Sequence, residues 1–149
     1  MRVLQIFVVA MFFVASNAYA DNGLILTQSK HSVSDTADQL VSVLEGKGMT
    51  VFERIDHSKG AKSVDLELRP TEVVIFGNPK VGTPLMLCSQ SVAIDLPQKM
   101  LIWQDQAGDV WLAYNDPGYL AKRHNIEGCD EVLGKISTAL GNFAAAAAR

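Results

Sequence analysis

The run "KMLIWQDQAGDVWLAYN", Lys99 to Asn115, decides the fold. "KMLIWQDQ" and "DVWLAYN" both have strand composition, rich in aliphatic and aromatic residues. Only the short stretch "DQAGD" connects them, and it contains Gly108. So short a connection joins antiparallel neighbours, because a parallel pair needs a crossover of a dozen or more residues. The sheet therefore contains at least one hairpin.

Working outward, the spacing predicts helices and strands in alternation. "TEVVIFGN" is a continuous apolar strand placed inside the sheet, and "MTVFERID" is a second, with apolar groups on both faces. "GLILTQSKH" has strand composition. "SVSDTADQLVSVLEGKG" is a helix: Ser32 or Ser34 caps it, and Ser32 with Asp35 resembles a capping box. Ala37, Leu40, Val41 and Leu44 form its apolar face, and Gly46 and Gly48 stop it. "HSKGAKSVDLELRP" is a short helix or turn. A helix is expected around Thr83 to Gln90, with Pro84 near its first turn. "DPGYLAKRH" is a short helix. "CDEVLGKISTALGNFAAAAA" is the last helix, and its terminal alanine run is expected to fray. The class is α+β: one mainly antiparallel sheet with helices packed chiefly on one face.

"FGNPKVGTPLM", Phe76 to Met86, raises the question of a phosphate loop. Gly77 and Gly82 stand four residues apart between a strand and a helix, as in G-x-x-x-x-G-K-[ST]. Thr83 follows Gly82 where the motif needs lysine, and Pro84 removes a backbone donor. Nucleotide binding is set aside. A plain strand-to-helix turn, or a loop that offers free amides to a small anion or small ligand, remains.

The chain of 149 residues opens "MRVLQIFVVAMFFVASNAYA". Arg2, the apolar run and Ala18-Tyr19-Ala20 have the form of a secretory signal peptide over residues 1–20. An uncleaved anchor is the alternative. Residues 21–149 then form a single domain in the periplasm or outside the cell. The formal net charge is −3 with no basic run, which argues against nucleic acid as a partner. No second segment is long enough to span a bilayer, so no stable membrane anchor is expected. Two cysteines, Cys88 and Cys129, in an exported chain favour a disulfide. Separate buried thiols are the alternative, and the absence of CxxC spacing counts against a metal or redox pair.

The stretches "HSKGAKSVDLELRPTEVVIFGNPKVGTPLM", "IDLPQKMLIWQDQAGDVWLAYNDPGYLAKRH" and "GCDEVL" resemble the domain of unknown function 302 family over about Leu26 to Leu140. The order FGNP-x-x-GT-x-LM, DLP, YNDP carries the resemblance. It implies a compact α+β domain, often a homodimer, with no established activity. The cysteine pair resembles that of an exported branch of the family.

No G-x-S-x-G, H-E-x-x-H or paired-carboxylate motif appears, so no catalytic residue, metal ligand or cofactor is assigned. Polar groups of the family-like phrases fall at strand and helix ends: His57, Asn78, Thr83, Asn115, Arg123 and His124. Ends of this kind are where loops gather ligands. Arg123 suits a carboxylate or phosphate, His57 and His124 would act as hydrogen-bond donors or ligands, and Asn78 and Thr83 would orient polar atoms. His57, Asn78, Arg123 and His124 are expected to share one site. The bland alternative has Asp56, Asp95 or Asp116 satisfying Arg123. The leading functional reading is a non-enzymatic module that binds a small-molecule ligand or a partner. A hydrolase without a recognisable motif is its rival. A copper or haem accessory protein using Met86, His57, His124 or a reduced cysteine is a third.

Overall fold

The computed structural model describes residues 22–149; the expected signal peptide lies outside them. Five strands and five helices follow in order: β1 (Leu24–Ser29), α1 (Val33–Gly46), β2 (Thr50–Asp56), α2 (His57–Lys62), β3 (Thr71–Gly77), α3 (Pro79–Cys88), β4 (Gln98–Gln104), β5 (Val110–Asn115), α4 (Pro117–Arg123) and α5 (Asp130–Ala147). A 3-10 turn, Gln90–Ile94, precedes β4. The sheet order is β1-β5-β4-β3-β2, and every neighbouring pair is antiparallel. The fold is the α+β class that the hairpin implies.

Alternation along the strands sorts the two faces. Val74 and Phe76 of β3, Met100 and Ile102 of β4, and Leu112 and Tyr114 of β5 are buried on one face. Helix α1 lays Ala37, Leu40 and Leu44 there, and α5 adds Ile136, Leu140 and Phe143. Phe76 meets Phe143 edge to face, with centroids 6.3 Å apart. Phe76→Ala would cost about 3–5 kcal/mol, the usual loss on emptying a fully buried aromatic site. The other face carries Leu26, Ile55, Val73 and Leu101, of which Leu26 and Ile55 are exposed.

Caps set the helix limits. The Ser32 hydroxyl accepts from the Asp35 N–H at 3.1 Å and starts α1. Gly48, at φ +72°, takes the left-handed conformation just past its end. Helix α3 corrects the expectation for this segment. It starts at Pro79 rather than Thr83, because the Asn78 side chain caps it and Pro79 is preset for the first helical position. Pro84 lies inside the helix, not in its first turn. The alanine run does not fray either. Ala144 and Ala147 are buried, and the Ala148 carbonyl accepts from the Lys30 N–H at 3.1 Å.

Candidate functional site

Two features meet on either side of the 3-10 turn, at the sheet end where β3 stops and β4 begins. The first is a cleft of about 290 Å³, walled by Phe52, Val81, Met86, Leu96 and Ile136 and rimmed by Asn78 and Thr83. A β-bulge makes the Phe52 wall. Val51 pairs with Phe76 and Glu53 with Ile75, so Phe52 is the unpaired extra residue. A bulge of this kind re-aims a side chain. Gly77 leaves room for it: a Cβ there would stand 3.2 Å from the Phe52 ring.

Asn78 is occupied structurally. Its Oδ1 accepts from the Lys80 N–H at 2.9 Å, and its Nδ2 donates to the Gly48 carbonyl at 3.1 Å. The loop at Phe76–Met86 is thus a strand-to-helix turn tied to the α1–β2 loop. Gln98 differs. It is 9% exposed, opens β4 and lines the cleft. Among the described residues its amide has no hydrogen-bond partner, and no polar atom sealed from solvent lacks one. The Gln98 amide is therefore open to solvent, in a residue that lines the cleft.

The second feature is a hydrogen-bonded chain. Asp95 Oδ2 lies 2.5 Å from His124 Nε2, and His124 Nδ1 lies 3.0 Å from the Ser91 hydroxyl. Arg123 Nη1 donates to Asp95 Oδ1 at 3.3 Å. The Ser89 hydroxyl donates to the His124 carbonyl at 2.9 Å. The His124 side chain is 6% exposed and that of Arg123 49%. Asp95 is thus the carboxylate that satisfies Arg123.

Residues 25–143 match the model of a family described as "Domain of unknown function DUF302". The chain belongs to this family. The crystal structure of a conserved DUF302 protein from Bacillus stearothermophilus superposes with a TM-score of 0.76 at 17% identity, covering 86% of this chain and 99% of that one. That likeness concerns the fold. The chain is also 46% identical over 106 residues to "Fluoride-specific ion channel FluC 1" of Brucella suis and to "Fluoride-specific ion channel FluC 2" of Brucella melitensis. The match takes in 71% of this chain but only 42% and 39% of those relatives. Among the described residues no helix of the DUF302 domain is long and apolar enough to cross a membrane.

The DUF302 fold distributes the residues singled out by sequence. Asn78 and Thr83 share the cleft, and Arg123 and His124 share Asp95. Asn115 closes β5 opposite Leu24, on the face turned away from the helices. His57 is exposed at the other end of the sheet. Because β2 and β3 run antiparallel, the chain leaves them at opposite ends of the sheet, a strand length of about 20 Å apart. His57 and Asn78 are not brought together.

Near His57 lies a polar groove centred on Arg54, which bonds Glu72 at 2.6 Å and also Asp38. Glu72, first among the causes, raises the Arg54 pKa and holds its charge firmly. Cys88 and Cys129 are joined as a disulfide, with Cα atoms 6.5 Å apart. Among the described residues no group of three or more His, Cys, Asp or Glu side chains is placed to hold a metal ion. Sequence reading passed over Phe52 and Gln98. The apolar groups on both faces of "MTVFERID" were the trace of the bulge; Gln98 left no comparable signal.

Proposed function

We propose that the domain is an exported, non-enzymatic module of the bacterial envelope that binds a small ligand in the cleft. The observation that carries this reading is the Gln98 amide, unpartnered within the described residues in a mostly apolar hollow rimmed by Asn78 and Thr83. That amide makes no hydrogen bond within the described residues and is open to solvent, so it is available to a ligand, and an apolar hollow with a few placed polar atoms is the usual form of a ligand site. The leader-like residues 1–20 and the disulfide support export, since disulfides persist in oxidising compartments. The relatives named as fluoride channels support a place at a membrane. Native mass spectrometry of protein taken from the envelope tests the reading. Wild type should carry a small bound mass, and Ala93→Trp, which fills the cleft from an exposed position, should not. A mass-free wild type would reject it. N-terminal sequencing of the same sample should begin at Asp21.

A second reading, hydrolysis, is favoured by the order Asp95, His124, Ser91. An oriented imidazole next to a hydroxyl is the arrangement that activates a serine nucleophile. Here Nδ1 would take the Ser91 proton, the opposite nitrogen from the serine-protease case. A fluorophosphonate probe should then label Ser91 in wild type and fail in His124→Gln. No labelling of Ser91 in wild type ends this reading.

A further inference from the structure

We infer that the ligand of the cleft is a compact, uncharged, flat molecule with one amide-like edge, a hydrogen-bond acceptor beside a donor, and that Gln98 reads that edge. This rests on the cleft being a binding site.

Charge is the first constraint. Among the described residues, no Lys, Arg, Asp, Glu or His lines the cleft. An ion entering it would shed hydration and find no opposite charge in return. Size is the second. About 290 Å³ is at the small end of ligand pockets, enough for one ring system with short substituents. The walls give the third. Met49, Met86 and Phe52 present polarizable sulfur and an aromatic face, surfaces that favour a flat ring over a flexible chain.

Gln98 then sets the polar edge. A primary amide offers a carbonyl acceptor and two N–H donors from neighbouring positions. A carboxamide, lactam or imide edge answers both at once; a lone carbonyl or hydroxyl answers one. The position is fixed by the sheet, since Gln98 pairs with Phe76 in the β3–β4 ladder. Asn78 has less to offer a ligand, because one N–H and one lone pair of its amide are already taken by Gly48 and Lys80, and Thr83 presents only a single hydroxyl at the rim. A wholly apolar ligand would bury the Gln98 amide without a partner, which weakens binding by roughly ten- to a hundred-fold relative to a matched edge.

Three probes built on one ring test this by ligand-observed NMR titration: benzamide, toluene and benzoate. Wild type should take benzamide at least about ten-fold more tightly than either of the others. Gln98→Leu should reverse the order of benzamide and toluene; Gln98→Met, closer in length, replaces it if the leucine variant does not fold. Ala93→Trp should abolish all binding. Equal binding of benzamide and toluene in wild type, or an unchanged ratio in the Gln98 variants, overturns the ligand class while leaving the cleft as a site. So does benzoate binding tightest. Binding that survives Ala93→Trp, or no binding by any probe, overturns the cleft reading itself.

Discussion

The Asp56 carboxylate caps α2, accepting from the Ser58 hydroxyl at 2.6 Å and from the Lys59 N–H at 3.0 Å. These bonds, the Ser58 one foremost, favour its ionised form and lower its pKa to about 2. The folded state therefore binds this proton more weakly than the unfolded state. The stabilisation is full above the ordinary aspartate value and is lost as pH falls toward about 2. Asp56→Ala should cost about 0.5–2 kcal/mol at pH 7, the range for a lost N-cap. The gap between variant and wild type in urea unfolding should narrow at acid pH; an unchanged gap would show that the charge contributes nothing. Arg54 has the converse part. Its guanidinium covers Glu72, whose side chain is only 10% exposed. Arg54→Ala should cost about 2–3 kcal/mol, because it strands a nearly buried carboxylate. Adding Glu72→Gln should recover part of that loss, and a double-mutant cycle on unfolding midpoints measures the coupling.

At the scale of elements, the order of strands and helices was legible because apolar periodicity and caps agree locally. Ser32, Asp116 and the hairpin glycine each stand where the chain turns. Two boundaries were not legible. Pro84 looked like a helix opener, but Asn78 and Pro79 open α3 first, and the helix carries Pro84 past its first turn. The alanine run looked like a fraying end because local propensity contains no tertiary partner. In the fold Ala147 is fully buried, and its small side chain lets the helix end lie close to the strands. Replacing Ala147 with leucine should therefore destabilise by about 1–3 kcal/mol through overpacking. Ala146→Leu, at a half-buried position, should cost clearly less. Similar melting temperatures for the two variants would mean that the terminal turn is not packed as described.

For the whole molecule, the class was legible from one hairpin, whereas the site depended on which sheet end each loop reaches. Sequence spacing places His57 and Asn78 both after strands, yet an antiparallel sheet sends alternate loops to opposite ends. Phe52 enters the cleft only through a bulge, which breaks the two-residue alternation a strand reading relies on. The elements around the cleft come from distant parts of the chain, and one covalent link joins them. The Cys88–Cys129 disulfide ties the end of α3 to the residue just before α5 across 41 positions. A closed loop of that length lowers the entropy of the unfolded chain enough to stabilise the fold by up to about 4 kcal/mol in the chain-entropy model. Reduction should lower the urea midpoint accordingly. It should also loosen the cleft, because α3 supplies Val81 and Met86 and α5 supplies Ile136 to its walls. Cys88→Ala/Cys129→Ala should reproduce both effects without reductant. If that variant unfolds at the wild-type midpoint, the link contributes nothing to the fold. If it is less stable but keeps full affinity for benzamide, the strands and the 3-10 turn hold the cleft without it.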